Sequence, residues 1–389
     1  MDITLIVNPG SSSKKYALYK GEHEVFSALY ERTEEGFGKC IEANNVRERC
    51  EDTEKEQYED ALHDVLTRAR DAGILNDASK ITRVGIRVVA PGSFFTTHRV
   101  IDSAYIRKLN AVRDAAPLHI PHQLSELRVL RETFKDARII GVSDSAFHAT
   151  MPPYAKRYSI SKKDAESFDL YRFGYHGLSL ASIVRQVGKD TGRIPERMVV
   201  CHVGSGISVT ALRGGKSVDT TMGFAPTSGL VMGTRAGEID PSALIYLFKQ
   251  HKQVLEHTER VVSEEGGLEG LLGSGDLRVA LDRMVKGDYE AGIAVSMYTQ
   301  GIRKAIGSMT AVLGGVDMLI LTGTAPERNP LVRKLLTANF EYMGVIIDEE
   351  ENEKVRDRAG VISGDGSKVT VAVLHTAELN EIAQVARIF

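Results

Sequence analysis

The stretch Ile3–Lys20, ITLIVNPGSSSKKYALYK, reads as an apolar strand over 3–7, a glycine- and serine-rich turn, and a second strand over 14–20. Gly21 marks another turn, and EVFSALY at 24–30 supplies a third strand, so the chain opens on a meander. The same grammar returns in the second half: MVVCHV at 198–203, GSG at 204–206, ISVTAL at 207–212, then Gly214-Gly215 and KSVDTT. An offset of 194 (10 + 194 = 204) sets Gly10 on Gly204, Ser11 on Ser205, Ala17 on Ala211, Leu18 on Leu212 and Gly21 on Gly215. Because 194 is about half of the 389 residues, a duplicated domain is the simplest account.

Each meander is followed by alternating strand and helix patterns, including RIIGVSD at 138–144, MLILTG at 318–323 and KVTVAVLHT at 368–376. Interleaved strands and helices predict α/β sheets covered on both faces. A long helix is predicted over 290–312, with Ala294, Met297, Ile302, Ala305, Ile306 and Met309 facing the core. The charged run at 51–70 reads as a solvated helix turning Ala61, Leu62, Val65 and Leu66 inward. Pro152 and Pro153 predict a break between lobes near 150–157. Two lobes that each open on a glycine and serine turn imply a central cleft in which both turns face one ligand, their backbone N–H groups forming a nest for phosphate oxygens.

Composition narrows the class. With 42% hydrophobic and 26% charged residues the chain can build a real core, and 49 basic against 52 acidic residues leave a net charge of -3. Nothing in that balance points to a nucleic acid or a polybasic membrane contact. No apolar run approaches the roughly 20 residues a bilayer requires. Cys40, Cys50 and Cys201 lack metal-ligand spacing and read as free thiols in a reducing, cytoplasmic setting.

Within MGTRAGEIDP at 232–241, Asp240 reads as a helix N-cap and Pro241 as the first helical residue, followed by Leu244, Leu247 and Phe248 at helical spacing. Arg235 therefore sits on a constrained loop. Gly233 and Gly237 would let the backbone approach a ligand, and a guanidinium suits carboxylate or phosphate. The alternative is a solvated turn.

Six stretches, NPGSSSKK (8–15), APLHIP (116–121), SDSAFH (143–148), FGYHGLS (173–179), HVGSG (202–206) and DTTMGFAPTSGLVMGTRAGEIDP (219–241), resemble in order the motifs of acetate kinases. The resemblance covers nearly the whole chain. It implies a duplicated actin-like, ribonuclease-H-like α/β fold, with residues 1–148 as an N-terminal lobe on the acyl and metal side, joined by a final helix at 376–389. Residues 149–389 would form the nucleotide side and the dimer contacts of a homodimer. It also implies Mg²⁺ or Mn²⁺, with ATP and ADP as cosubstrates.

Residue by residue, the resemblance makes Arg87 and Arg235 the pair that holds the carboxylate and the transferring phosphoryl group. His176 would stabilise the transition state and Asp144 would be the catalytic aspartate. Without the family, His176 would read as a structural histidine and Asp144 as a cap or turn residue. Asn8 and Glu378 correspond to metal-organising positions, although Glu378 alone would read as a first-turn glutamate. Val89, Leu118, His119, Tyr175 and Pro226 fall on the acyl side. Ser11, Ser13 and Lys15 match the first phosphate loop, and His202, Gly204, Ser205 and Gly206 the second. Asp276, Leu277 and Arg278, with Thr324, Ala325, Pro326, Glu327 and Arg328, fall at the adenosine.

Departures concentrate on the donor side. Ser205 stands where the family has asparagine, and TAPER (324–328) replaces a glycine-rich adenosine loop, adding bulk and stiffness. Ile86, Ala90 and Pro91 replace family residues beside Arg87, Leu180 replaces a histidine, and Tyr175 replaces phenylalanine. An ATP-dependent acetate kinase is the leading reading. Pyrophosphate or phosphate could replace the nucleotide, propionate or another short acid could replace acetate, and a non-catalytic nucleotide-binding switch is the reading from another class.

Overall fold

The computed structural model describes residues 3–10, 13–33, 36–44, 46–47, 50–117 and 119–389. The chain divides into two compact units, one formed by Met1–Ala146 with Ala377–Phe389, the other by Phe147–Thr376.

The first unit contains β1 (Ile3–Pro9), β2 (Ser13–Lys20), β3 (His23–Thr33), β4 (Gly36–Ala43), β5 (Val46–Arg47), β6 (Glu51–Thr53), β7 (Ile81–Val88), β8 (Arg99–Val100) and β9 (Arg138–Ser143). They form one sheet in the order β5-β4-β3-β2-β1-β7-β9-β8, with β6 paired to β4. The strands β1, β2 and β3 run antiparallel as a meander, whereas β7 and β9 join β1 in parallel. A strand covered on both faces reads as a nearly continuous apolar run, and all seven residues of β1 are buried, the polar Thr4 and Asn8 among them.

The second unit contains β10 (Arg197–Val203), β11 (Ile207–Arg213), β12 (Lys216–Thr220), β13 (Met318–Thr322), β14 (Gly360–Val361) and β15 (Thr370–Val373), in the order β12-β11-β10-β13-β15-β14. Its antiparallel meander and parallel β13 and β15 repeat the order β3-β2-β1-β7-β9 of the first unit. The ribonuclease-H-like unit of the actin-like folds is thus present twice. The repeat is not in perfect register. The last hairpin pair is Pro9↔Lys14 in one unit and Val203↔Ile207 in the other, so the turns enclose 10–13 and 204–206. The 194 offset therefore holds for β2 and β11, while β1 and β10 need 193 (203 + 207 − 9 − 14 = 387 = 193 + 194).

The predicted long helix spans Tyr289–Leu313. Its buried face includes Ala294, Tyr298, Ile302, Ala305, Ile306 and Met309, but Met297 is 44% exposed: the inward row passes through Tyr298 rather than its neighbour. The run at 51–70 is not one helix. Residues Glu51–Thr53 extend the sheet as β6, and helices Lys55–Glu59 and Ala61–Asp71 follow, separated at Asp60. Pairing of Phe37↔Thr53 and Lys39↔Glu51 captures the first three residues as strand, a tertiary effect that local charge could not announce. The inward set Ala61, Leu62, Val65 and Leu66 is buried as expected.

That pairing also corrects the cysteines. Cys40 on β4 and Cys50, next to β6, lie with Cα atoms 4.3 Å apart and form a disulfide, while Cys201 is buried and free. The hairpin register, not the sequence spacing, brings the two sulfurs together. Among the described residues no helix is long and apolar enough to cross a membrane.

The C-terminal helix Glu378–Ile388 belongs to the first unit and packs on β1 and β7. A Cβ at Gly85 of β7 would lie 2.8 Å from Ile382 and 2.9 Å from Ala386, so the helix seats only because residue 85 is glycine. In the second unit the helix Gly177–Thr191 lays Leu180, Ile183 and Val187 against Met198, Val200 and Ile320. Leu180, where a histidine was expected from the resemblance, is a core residue.

Candidate active site

In the first unit four candidate residues form one hydrogen-bonded series. Arg87 near the end of β7 donates from Nη2 to Asp144 Oδ2 at 2.9 Å and from Nη1 to Asn8 Oδ1 at 3.3 Å. Asn8 in turn donates from Nδ2 to Glu378 Oε2 at 2.8 Å. Parallel pairing of β1, β7 and β9 explains the meeting: their ends coincide at one edge, where ligands bind in α/β sheets. Asp144 is fully buried. Burial opposes the charge on Arg87, but the neighbouring carboxylates of Asp144 and Glu378 outweigh it and hold the guanidinium protonated above its ordinary value. Among the described residues Arg87 Nε is buried without a hydrogen-bond acceptor. Ile86 and Ala90 are buried apolar residues, so Asp144 and Asn8 are the polar supports of Arg87.

Val89 is buried, and its backbone is gripped at both polar atoms by the amide of Gln123. Gln123 Oε1 accepts from Val89 N at 3.1 Å, and Gln123 Nε2 donates to Val89 O at 2.9 Å. Gln123 was not anticipated, although a glutamine between Ile120 and Leu127 on the buried face of helix Ile120–Thr133 is a readable signal. His119 stands at the N-terminus of that helix. Ser13 begins β2 and Lys15 is exposed on it. Ser11 and Leu118 lie outside the described residues.

In the second unit the buried residues His176 and Arg235 converge on Gly206. A Cβ built at Gly206 would lie 3.0 Å from His176 Nε2 and 3.3 Å from Arg235 Nη1. His176 takes a left-handed conformation (φ 61°) at the start of helix Gly177–Thr191. Its Nδ1 meets Ser208 Oγ at 3.0 Å, and its ring stacks on His202 with centroids 4.1 Å apart. His202 Nδ1 meets Ser179 Oγ at 2.9 Å. Ser208 and Ser179 orient the two rings, and sequence reasoning missed both, because each acts across the fold. Arg235 donates from Nη1 to Pro226 O at 3.0 Å. Tyr175 is buried and donates from Oη to Phe224 O at 2.5 Å.

Arg235 is 6% exposed, which excludes a solvated turn. The glycines around it serve the chain itself rather than a ligand. A Cβ at Gly237 (φ 76°) would lie 2.4 Å from the Leu230 carbonyl carbon, and one at Gly233 2.6 Å from Gly275 O. The loop is wound so tightly on its own backbone that side chains have no room. Asp240 caps the helix Pro241–Gln250 by accepting from Ser242 N at 2.6 Å. The turn amides are also partly committed: Gly10 N donates to Ser13 O and Gly204 N to Gly206 O, so neither contributes to a phosphate nest.

Asp276 caps the helix Leu277–Val285, and the exposed Arg278 folds back on its carboxylate. TAPER forms a helical turn, Thr324–Arg328, in which Pro326 is buried. Glu327 Oε1 accepts from Gly323 N at 2.7 Å and its Oε2 meets His375 Nδ1 at 2.6 Å, so its carboxylate is engaged within the unit. The fully buried Arg333, a further unanticipated support, donates to Pro326 O at 2.6 Å. Ser205 and Thr324 are exposed. No cluster of three or more His, Cys, Asp or Glu able to hold a metal occurs among the described residues.

The sequence profile of the Acetokinase family matches residues 3–384. The chain belongs to the acetokinase family. It is a phosphotransferase with a carboxyl group as acceptor. An acetate kinase of Thermoanaerobacter pseudethanolicus is 35% identical over 98% of this chain and 97% of that protein. Among solved structures, a propionate kinase from Francisella tularensis superposes with a TM-score of 0.88 at 29% identity, covering 100% of both chains. The Porphyromonas gingivalis acetate kinase superposes with a TM-score of 0.85 at 29% identity, covering 100% of this chain and 99% of the other.

Proposed function

We propose that this chain transfers a phosphoryl group reversibly between ATP and acetate, with Arg87, Asp144, His176 and Arg235 as its catalytic residues. The observation that carries this reading is the fixed placement of His176 and Arg235 against Gly206. A loose phosphoryl-transfer transition state spreads charge over its equatorial oxygens, so catalysis is chiefly positioned positive charge and donors. In the tautomer in which Ser208 Oγ donates to Nδ1, His176 carries its proton on Nε2, the nitrogen that faces Gly206. Arg87 is held charged by Asp144 and presents its Nε to the acceptor carboxylate. Val89, Leu118, His119, Tyr175 and Pro226 bound the acyl group. Ser11, Ser13, Lys15, His202 and the 204–206 turn, with the segments 276–278 and 324–328, serve the donor.

Asn8 and Glu378 supply one amide and one carboxylate oxygen beside Arg87, a donor set that suits Mg²⁺, which keeps waters and substrate phosphates as its remaining ligands. The ion would neutralise phosphate charge when bound. Support for a homodimer comes from the apolar residues Tyr289, Ile293 and Met297, which are exposed along one face of the helix Tyr289–Leu313. Residence in the cytoplasm would keep the Cys40–Cys50 pair under reducing pressure.

Hydroxamate trapping of acyl phosphate with Mg²⁺, comparing ATP with pyrophosphate and acetate with propionate, tests the function. Activity with ATP and acetate is the expected result. Activity with pyrophosphate alone would mean that the helical turn at 324–328 closes the nucleoside site, and no hydroxamate with any donor or acid would overturn the kinase reading.

A further inference from the structure

The segment 222–228, MGFAPTS, has no helix or strand, yet it is tied down along its length. Phe173 N and Gly174 N donate to Gly223 O, and Gly223 N donates to Ser228 Oγ at 2.7 Å. Its centre is bracketed by two phenols. Phe224 N donates to Tyr158 Oη at 2.7 Å, and Phe224 O accepts from Tyr175 Oη at 2.5 Å. A Cβ at Gly223 would lie 2.3 Å from Tyr158 Oη, so residue 223 has to be glycine for that approach.

Both phenols are themselves anchored. Arg172 lies over the Tyr158 ring, 5.8 Å from its centroid, and donates to Thr220 O at 2.9 Å and Ala155 O at 3.2 Å. The buried His148 meets Tyr175 O through Nε2 at 2.9 Å. Two residues beyond Phe224, the Pro226 carbonyl accepts from Arg235 Nη1. A segment without secondary structure thus sets the place of a buried guanidinium, and the two tyrosines set the place of that segment.

We propose that Tyr158 and Tyr175 are positioning residues that hold the Phe224 backbone from both sides, and through the Pro226 carbonyl orient Arg235 and set how tightly the acyl group of the acid is bounded. This rests on the reading that Arg235 and Pro226 meet the acid. The Tyr175 hydroxyl is directed at backbone, so it acts on selectivity by stiffening a wall rather than by adding a polar group for the substrate. Holding one segment from two sides also means that the two tyrosines share one effect: once either bond is lost, the second holds less.

The test compares wild type with Tyr175→Phe, Tyr158→Phe and the double variant. It reads kcat and KM for acetate, propionate and butyrate by hydroxamate formation, together with melting temperature and amide exchange at Phe224 and Ala225. Each single variant is expected to lower kcat with acetate several-fold and to reduce the acetate-to-butyrate ratio of kcat/KM at least threefold. The Phe224 amide should exchange at least tenfold faster in Tyr158→Phe, and the double variant should be less impaired than the product of the singles. A fall in melting temperature with unchanged acid ratios, or multiplicative effects, would reduce both tyrosines to structural residues and overturn the proposal. Should a variant not fold, amide exchange in the wild type decides: a Phe224 amide no better protected than that of the exposed residue Thr234 means there is no clamp. Wild-type protein that makes no hydroxamate at all would instead sink the kinase reading, with the exchange result still reporting on the clamp.

Discussion

Alanine at residue 206 tests whether His176 and Arg235 are placed as tightly as the chemistry requires. The added Cβ would sit 3.0 Å from His176 Nε2, 3.3 Å from His176 Cε1 and 3.3 Å from Arg235 Nη1, where ordinary contacts begin at about 3.4 Å. The imidazole must therefore retreat by about 0.4 Å. It cannot do so freely, because Ser208 holds Nδ1, His202 stacks on the ring and the backbone at 176 is left-handed. A misplacement of about 1 Å at a catalytic group costs about 100-fold, so a shift of this size predicts a loss of kcat between about 5- and 50-fold, or about 1–2.3 kcal/mol of transition-state stabilisation. The matched control is Gly292→Ala, in the helix Tyr289–Leu313, whose Cβ would meet no heavy atom within 4 Å. Initial rates of hydroxamate formation over a range of acetate and ATP concentrations separate kcat from KM, and thermal denaturation checks that both variants fold. Gly206→Ala activity within twofold of wild type, in a folded protein, would refute the idea that this pair is held in one productive geometry.

Replacing Gln123 by leucine orphans both polar atoms of the Val89 backbone, each at about 1–3 kcal/mol. A urea midpoint lowered by a corresponding amount is expected. Reducing the Cys40–Cys50 disulfide, which closes a ten-residue separation, should cost about 2–3 kcal/mol on the chain-entropy model; dithiothreitol should lower the midpoint of the wild type and leave that of Cys40→Ser unchanged. Burial alone would raise the pKa of Asp64, but bonds from Tyr30 and Lys39 and the nearby charge of Arg68 bring it below the ordinary value. A depressed carboxyl contributes stability that is present above its unfolded pKa of about 3.9 and disappears as pH falls through the folded one. Urea midpoints measured from pH 6 to pH 3 should therefore fall more steeply in wild type than in Asp64→Asn.

The duplicated meander is legible because strand alternation and glycine turns are local signals, and β1–β3 and β10–β12 occur where those signals place them. What sequence could not supply depends on partners distant in the chain. Strand β6 exists because β4 offers an edge, and the disulfide follows from that pairing. The one-residue difference between the two turns emerges only from the ladder register. At the candidate site, motifs single out the arginines and histidines, whereas the supports are buried polar groups remote in sequence: Gln123 on the Val89 backbone, Ser208 on the His176 ring, Arg333 on the Pro326 carbonyl. The glycines beside Arg235 illustrate the limit from the other side. Their spacing flags a tight loop, but only coordinates reveal that the crowding comes from Leu230 and Gly275.

The hydrogen bond between Asn8 and Glu378 joins residues separated by 370 positions, and the helix that carries Glu378 closes one face of the sheet begun by the first strand. That face stays uncovered until the helix Glu378–Ile388 has been made. The first unit is therefore completed only behind the second, whose residues all precede that helix in chain order. Removing residues 378–388 would strip both a wall of the core and the carboxylate partner of Asn8, so this one helix couples completion of the fold to completion of the hydrogen-bonded series around Arg87.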